Sequence, residues 1–192
     1  MDGYNLSTDL HAQQPGASAM SQDSLQSVYR ERLLEHLLVG ELLKHSWLHH
    51  GAELEVSTPS VDRAGHDIVL EAKGVTRHVQ LKASSTDGAT RSQITHTHLG
   101  RKPSGCVIWM RFDRKDLRLD HFLFFGGAPG TPLACMDHYV TARHTRGDAN
   151  GIKKERPNLR IVPATAFKRI ATIDELYAAL FCPAAQEAPV HE

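Results

Sequence analysis

The first regular pattern along the chain is helical. From Ser24 to about His50, "SLQSVYRERLLEHLLVGELLKHSWLHH" contains no proline and is dense in Leu and Val. Placed at 100° per residue, its Leu, Val and Trp positions go almost entirely round the cylinder. That predicts one long helix packed by more than one layer, with Ser24 as its candidate N-cap. Alternation then takes over. A short strand is expected at 53–58, and "GHDIVLEAKGVTRHVQLKAS" (65–84) contains two alternating runs joined at Lys73-Gly74. Glycine tolerates positive φ without steric cost, so Gly74 is the natural turning residue. Closing the hairpin there pairs Ala72 with Val75. Counting outward puts Asp67 opposite Gln80, with Lys82 one diagonal step away. Strand side chains change face at every residue, so Val79, Leu81 and Ala83 share one face and His78, Gln80 and Lys82 the other.

The polar segment "STDGATRSQITHTHLGRKPSG" (85–105) is expected to be partly helical. "CVIWMRF" and "HFLFF" read as strong strands, and "GGAPGTP" as a turn-rich break. "LACMDHYVTARHT" reads as a short helix and "RGDANGIKKERPN" as a basic loop. "LRIVP" follows as a last strand, and "TIDELYAALF" as a final helix begun by a threonine cap. Trp47, Trp109 and the Phe122–Phe125 run are expected in the core. These elements predict an α/β sandwich with a central mixed β-sheet flanked by helices. Residues 1–23, rich in Ser, Gln, Gly and Asp, are expected to form a disordered leader. Residues 24–182 would make the folded domain and 183–192 a frayed tail.

Composition narrows the picture only locally. In 192 residues, Lys plus Arg and Asp plus Glu both number 22, so any nucleic-acid surface must be a local patch. The three cysteines, Cys106, Cys135 and Cys182, lack zinc-finger spacing and favour reduced thiols over a disulfide framework. The first twenty residues have no apolar signal-peptide core, and no apolar run is long enough to span a bilayer. A cytoplasmic location without a membrane partner is the expectation. No phosphate-loop order is present, so nucleotide hydrolysis has no support. Glu41, His45 and His49 step four residues apart as a candidate metal face, although they lack the fuller H-E-x-x-H pattern of zinc-enzyme helices. Lys153, Lys154, Arg156 and Arg160 form a basic cluster suited to phosphate contacts, or equally a solvated charged loop.

An acid on a long first helix, an Asp at a strand start and Gln80-x-Lys82 on the paired strand resemble the PD-(D/E)XK nuclease superfamily. Gln80 stands where that superfamily usually has an acid, as in its Mrr-like branches. "RHVQLKAS", "KPSGCVIWMRFD" and "GIKKERPNLR" are similar to words in bacterial proteins of this kind, and the resemblance covers about 28–181. It implies a restriction-endonuclease-like fold and a Mg²⁺-dependent endonuclease, with Mn²⁺ able to substitute. DNA is the expected substrate, and a homodimer is implied by analogy. Asp67 would be the main metal ligand, Gln80 would present its amide oxygen and Leu81 its backbone carbonyl. Lys82 would orient the attacking water. Glu31, Glu35 and Glu41 all qualify as the helix acid, with Glu35 preferred because "EHLLVGELL" best fits an acid followed by an apolar run. Gln80 removes one negative charge from the metal site, and Gln80→Glu is expected to restore it. The alternatives are a catalytically degenerate nucleic-acid-binding module with the same fold, or an interaction subunit.

Overall fold

A computed structural model describes residues 22–60, 65–147 and 151–183. The expected leader and frayed tail lie almost wholly outside these residues. The chain runs α1 (Gln22–His49), β1 (Glu55–Ser57), β2 (Ile68–Ala72), β3 (Val75–Ser85) and β4 (Ser92–His96). A 3₁₀ turn at Thr97–Arg101 leads to β5 (Gly105–Phe112) and β6 (Leu119–Gly126). Then come β7 (Val140–Arg143), β8 (Glu155–Pro163), a 3₁₀ turn at Ala164–Ala166, β9 (Lys168–Ile170) and α2 (Ile173–Phe181).

Six strands form the central sheet in the order β1-β2-β3-β5-β6-β9. It is mixed: β3 and β5 are parallel, and every other neighbouring pair is antiparallel. The β2–β3 hairpin closes as its spacing dictates, with Ala72 opposite Val75. Lys73 and Gly74 both have positive φ, 53° and 71°, as a two-residue I′ turn requires. β5, "GCVIWMRF", is buried along its whole length, the mark of a strand covered on both faces.

The two cover layers differ. One face of the sheet meets both helices, through Leu34, Leu38 and Leu42 of α1 and Leu176, Tyr177, Leu180 and Phe181 of α2. The other face, with Val107 and Trp109, packs under a second sheet of three antiparallel strands, β4-β8-β7. This second sheet was not legible in the sequence. β4 sits in the polar segment expected to be partly helical, and only its 3₁₀ turn matches. "LACMDHYVTARHT" forms no helix but a loop entering β7, because its threonine and valine pair across to β8. "LRIVP" is the second half of β8, and β9 follows it as the last strand. α2 begins as expected, with Thr172 Oγ1 accepting from Glu175 N at 3.2 Å.

The first helix departs most from expectation. It starts at Gln22, ahead of Ser24, and it buries one stripe rather than most of its circumference. Leu34, Leu38 and Leu42 are fully buried. Trp47, expected in the core, is 74% exposed, whereas Trp109 is fully buried as expected. Phe122 and Phe124 face the helix side, and Leu123 and Phe125 the second-sheet side, so the aromatic run serves both cores.

Candidate active site

β3 has eleven residues and β2 five, so β3 outruns its hairpin partner beyond Val79. The β2-side edge of Gln80–Ser85 is therefore left without a strand partner in the central sheet, while the other edge pairs with β5. α1 crosses one side of this open edge and β4 the other. Between them lies a cleft of about 470 Å³, lined by Glu31, Arg32 and Glu35 of α1, Asp67, Leu81 and Lys82 of the hairpin region, and Gln93 of β4.

Asp67 enters at a bulge. Ile68 pairs with Val79, and Asp67 N also donates to Val79 O at 2.8 Å, two residues against one. The extra residue turns the Asp67 side chain along the open edge, where Oδ2 accepts from Leu81 N at 2.6 Å. In a strand the N–H and C=O of one residue point to the same edge, so the Leu81 carbonyl faces the cleft beside Asp67. The register counted from the sequence holds as far as Ile68. At Asp67 the bulge breaks it.

Gln80 goes elsewhere. It shares the second-sheet face with Val107, its parallel-register partner, is buried, and its Oε1 accepts from His96 N at 3.3 Å. It does not line the cleft. The expectation that Gln80 presents its amide oxygen beside Asp67 is therefore corrected: the bulge and the β4 backbone take the two groups in different directions. Gln80→Glu is accordingly expected to leave divalent-cation affinity within a factor of two of wild type, read by calorimetry. It should lower the melting temperature, since a carboxylate would be buried there without a cationic partner. A clear gain in affinity would show that residue 80 reaches the cleft.

Lys82 lies on the same face as Gln80, with Trp109 as its register partner, and its stem reaches the cleft from the β4 side. Behind it stands a fixed polar network. Trp109 Nε1 and Arg111 Nη1 both donate to Ser84 Oγ at 2.7 Å, and the Arg111 guanidinium stacks over the Trp109 ring at 5.4 Å. Burial, partly offset by Asp87, lowers the Arg111 pKa from its ordinary value.

The structure separates the three candidate helix acids. Glu31 and Glu35, one turn apart, line the cleft; Glu41 lines a different hollow and pairs with Lys44 at 3.5 Å. Glu35 is the more enclosed: its side chain is 13% exposed and is held by Arg32 at 3.1 Å. Arg32 and Gln93 were missed in the sequence. Arg32 gave no signal beyond one more charge on a helix, and Gln93 belongs to a strand that was not expected.

Among the described residues, no group of three or more His, Cys, Asp or Glu side chains is placed to hold a metal ion. The Glu41, His45 and His49 triplet is thereby excluded as a metal face. What the cleft offers instead is three carboxylates, Asp67, Glu31 and the more enclosed Glu35, and one backbone carbonyl. Mg²⁺ keeps several waters and needs only one or two carboxylates from a protein, so this hard-oxygen set fits it better than a nitrogen- or sulfur-seeking ion.

The basic cluster divides. Lys153, Lys154 and Arg156 are exposed at the start of β8. Arg160 commits its guanidinium to groups of the protein's own surface, donating to Pro157 O at 2.7 Å and lying 3.5 Å from Asp137. It stabilises the β8 backbone and is removed from the set of phosphate contacts.

No protein-family model matches the chain, and none of the curated proteins is detectably similar to it. Among solved structures it is similar to a bacterial homing endonuclease, at 15% identity over 69% of this chain and 86% of that one, with a TM-score of 0.33. A likeness of that depth carries no argument about the site. No helix among the described residues is long and apolar enough to cross a membrane.

Proposed function

We propose that the protein is a metal-dependent nuclease that hydrolyses phosphodiester bonds, with DNA as substrate. The observation that supports this most is the open edge of β3, where Asp67, Glu35, the Leu81 carbonyl and Lys82 border one cleft. Asp67 and Glu35 would hold Mg²⁺ or Mn²⁺ with the Leu81 carbonyl. Such an ion neutralises charge developing on the phosphate and lowers the pKa of bound water. Lys82, approaching from the opposite side of the sheet, would hold the attacking water and donate to a phosphate oxygen as its charge rises. Arg32, 69% exposed, swings between Glu35 and a phosphate in this scheme.

Gln80 favours one rival. With its amide turned to His96 N, the site is an acid short of the superfamily pattern, which fits a module that holds nucleic acid without cutting it. Incubating the purified chain with supercoiled plasmid and with short RNA, in Mg²⁺, Mn²⁺ or EDTA, separates the two. Nicking that EDTA suppresses supports the nuclease. Binding without any cleavage in either metal supports the rival.

The exposed basic residues extend the proposed substrate surface. β4 leads from Gln93, opposite Val162, toward the start of β8, so Arg156 lies six residues along, about 20 Å from the cleft at 3.3 Å per residue. That is roughly six base pairs of duplex. Replacing Lys153, Lys154 and Arg156 by Ala is expected to weaken binding to all duplex sequences alike, and to flatten its salt dependence by about 0.9 in logarithmic slope per lost contact. An unchanged slope would leave these residues as solvated charges.

A further inference from the structure

β7 and β8 continue past the second sheet as an arm. β4 pairs with β8 only from Leu159 to Pro163, and β8 then bulges. Two steps along β7, from Thr141 to Arg143, face five along β8, from Arg160 to Glu155. A bulge bends its strand and increases the local twist, so the chain beyond it leaves the plane of the sheet. The regular ladder ends at Arg143 and Glu155, yet His144 N still donates to Lys154 O at 2.9 Å. Gly147 then comes so close to Gly151 that a Cβ on it would stand 2.6 Å from the Gly151 carbonyl carbon. The segments 143–147 and 151–155 therefore stay side by side and in register. Every residue of both is exposed, Ile152 at 62%. In a chain whose cations and anions balance at 22 each, they carry Arg143, His144, Arg146, Lys153 and Lys154 against the single acid Glu155. A two-stranded hairpin with neither face covered is marginal in water, so a ligand that covers one face stabilises the arm as it binds.

We propose that this arm enters the major groove of double-stranded DNA and reads base edges there. Its two faces differ. Opposed residues share a face, so Arg143 lies with Glu155, and the two offset each other's charge at 3.3 Å. His144 and Lys154 share the other face, and the same count, kept by Gly147 against Gly151, adds Arg146 and Ile152 to it. That second face sets one apolar side chain among three nitrogen donors and has no acid. Two strands lie about 4.8 Å apart, so with their side chains they fit a groove about 12 Å wide but not one of about 6 Å. The major groove offers that width together with the matching chemistry. Guanine O6 and N7 suit the Arg146 guanidinium, a thymine methyl suits Ile152, and phosphates on the groove wall suit Lys154. Duplex RNA is excluded as the ligand of this arm, because its major groove is too narrow for side chains to read. Phosphate contacts fix position and base contacts fix sequence, so the arm selects where on a duplex the cleft comes to rest. The ligand class rests on the nuclease reading; the duplex form, the groove and the reading residues rest on the arm.

Selecting bound sites from a random duplex library with the full chain, then measuring anisotropy of labelled duplexes without divalent ions, tests the arm apart from cleavage. Wild type is expected to favour a selected site over a scrambled one by about tenfold or more, since one bidentate base contact is worth about 5- to 150-fold. Arg146→Ala should bring that ratio within about twofold. Uracil in place of thymine lacks the methyl, so it should weaken binding by wild type and leave Ile152→Ala unaffected. Ile152→Ala should also leave the salt slope unchanged, because it removes no cation. Thr145→Ala, on the opposite face, should match wild type throughout. Duplex RNA and single-stranded DNA of the selected sequence should bind no better than scrambled duplex. A wild type with no preference among duplexes, or a preference that survives both Arg146→Ala and Ile152→Ala, would overturn the proposal even if the chain cleaves DNA. A chain that selects sites but cleaves nothing in Mg²⁺ or Mn²⁺ would support the arm and sink the nuclease reading instead. Absence of binding to any nucleic acid would overturn both.

Discussion

Asp67→Asn is expected to abolish metal-dependent cleavage while leaving the protein folded. Asparagine keeps an oxygen that can accept from Leu81 N, so the 2.6 Å contact closing the bulge survives and only the charge is lost. Alanine would be a poorer test, since it also leaves the Leu81 amide without its acceptor. Divalent-cation affinity should fall with activity, because Asp67 is the carboxylate at the open edge and Glu35 is partly neutralised by Arg32. Lys82→Met keeps the aliphatic stem beside Trp109 and deletes the ammonium. Its expected signature is different: cleavage falls by about 10²–10³, the usual cost of one preorganised electrostatic contact, with metal binding retained. Glu35→Gln should weaken metal binding with an intermediate loss of rate. Plasmid nicking and calorimetric cation titration of the three variants check the assignment together. If Lys82→Met cuts as well as wild type, or Asp67→Asn binds the cation as tightly, the catalytic assignment fails. Asp67 would then be a bulge cap worth about 1 kcal/mol.

The parts of this arrangement that were legible in the sequence are those with a short-range physical code. A two-residue turn at Lys73-Gly74 fixes pairing from Ala72–Val75 to Ile68–Val79, and alternation fixes which side chains share a face. The bulge at Asp67 has no such code. It arises where β2 ends and the backbone is free to double up against Val79, and it redirects the one carboxylate on which the site reading rested. Gln80 was misplaced for a related reason. Its partner is the backbone of His96, in a strand whose polar sequence "SQITH" gives a strand signal only once β8 is there to pair with it. Helix α1 was misread through composition: dense leucine suggests burial on all sides, but leucines that stay exposed, such as Leu37, Leu43 and Leu48, look the same from sequence. The choice between Glu31, Glu35 and Glu41 needed the crossing of α1 over β3, which is a tertiary fact.

Arg77→Met is expected to be among the most destabilising single substitutions in the chain. Arg77 lies on β3 and is fully buried. Its Nε donates to Leu180 O at 2.8 Å, and its Nη2 to Ala179 O at 3.0 Å and Gly127 O at 3.1 Å. The last carbonyls of a helix have no intrahelical donor, and the last turn of α2 has no basic residue of its own. Arg77 therefore supplies from the sheet both the missing donors and the cation that the negative end of the helix favours. Burial lowers its pKa from the ordinary value, a sign that the charge is held at a desolvation cost which these three bonds offset. Methionine fills much of the volume and relieves that cost, but strands three carbonyls. Charge-assisted bonds are worth about 1.5–3 kcal/mol each, so a net loss of roughly 2–4 kcal/mol remains. For a chain of this size that is a fall in melting temperature of about 5–15 °C. Arg77→Lys should fall between wild type and Arg77→Met, because an ammonium keeps the charge without the planar fork. The exposed Arg118→Met should change little and serves as the control. The damage should stay at the α2 end. Leu81 is four residues further along β3, about 13 Å away, so below its own melting point the variant should cut at close to the wild-type rate. A melting temperature within about 2 °C of wild type would show that water or a neighbouring donor replaces the guanidinium. Lost cleavage in a fully folded Arg77→Met chain would show that α2 and the cleft are coupled through β3.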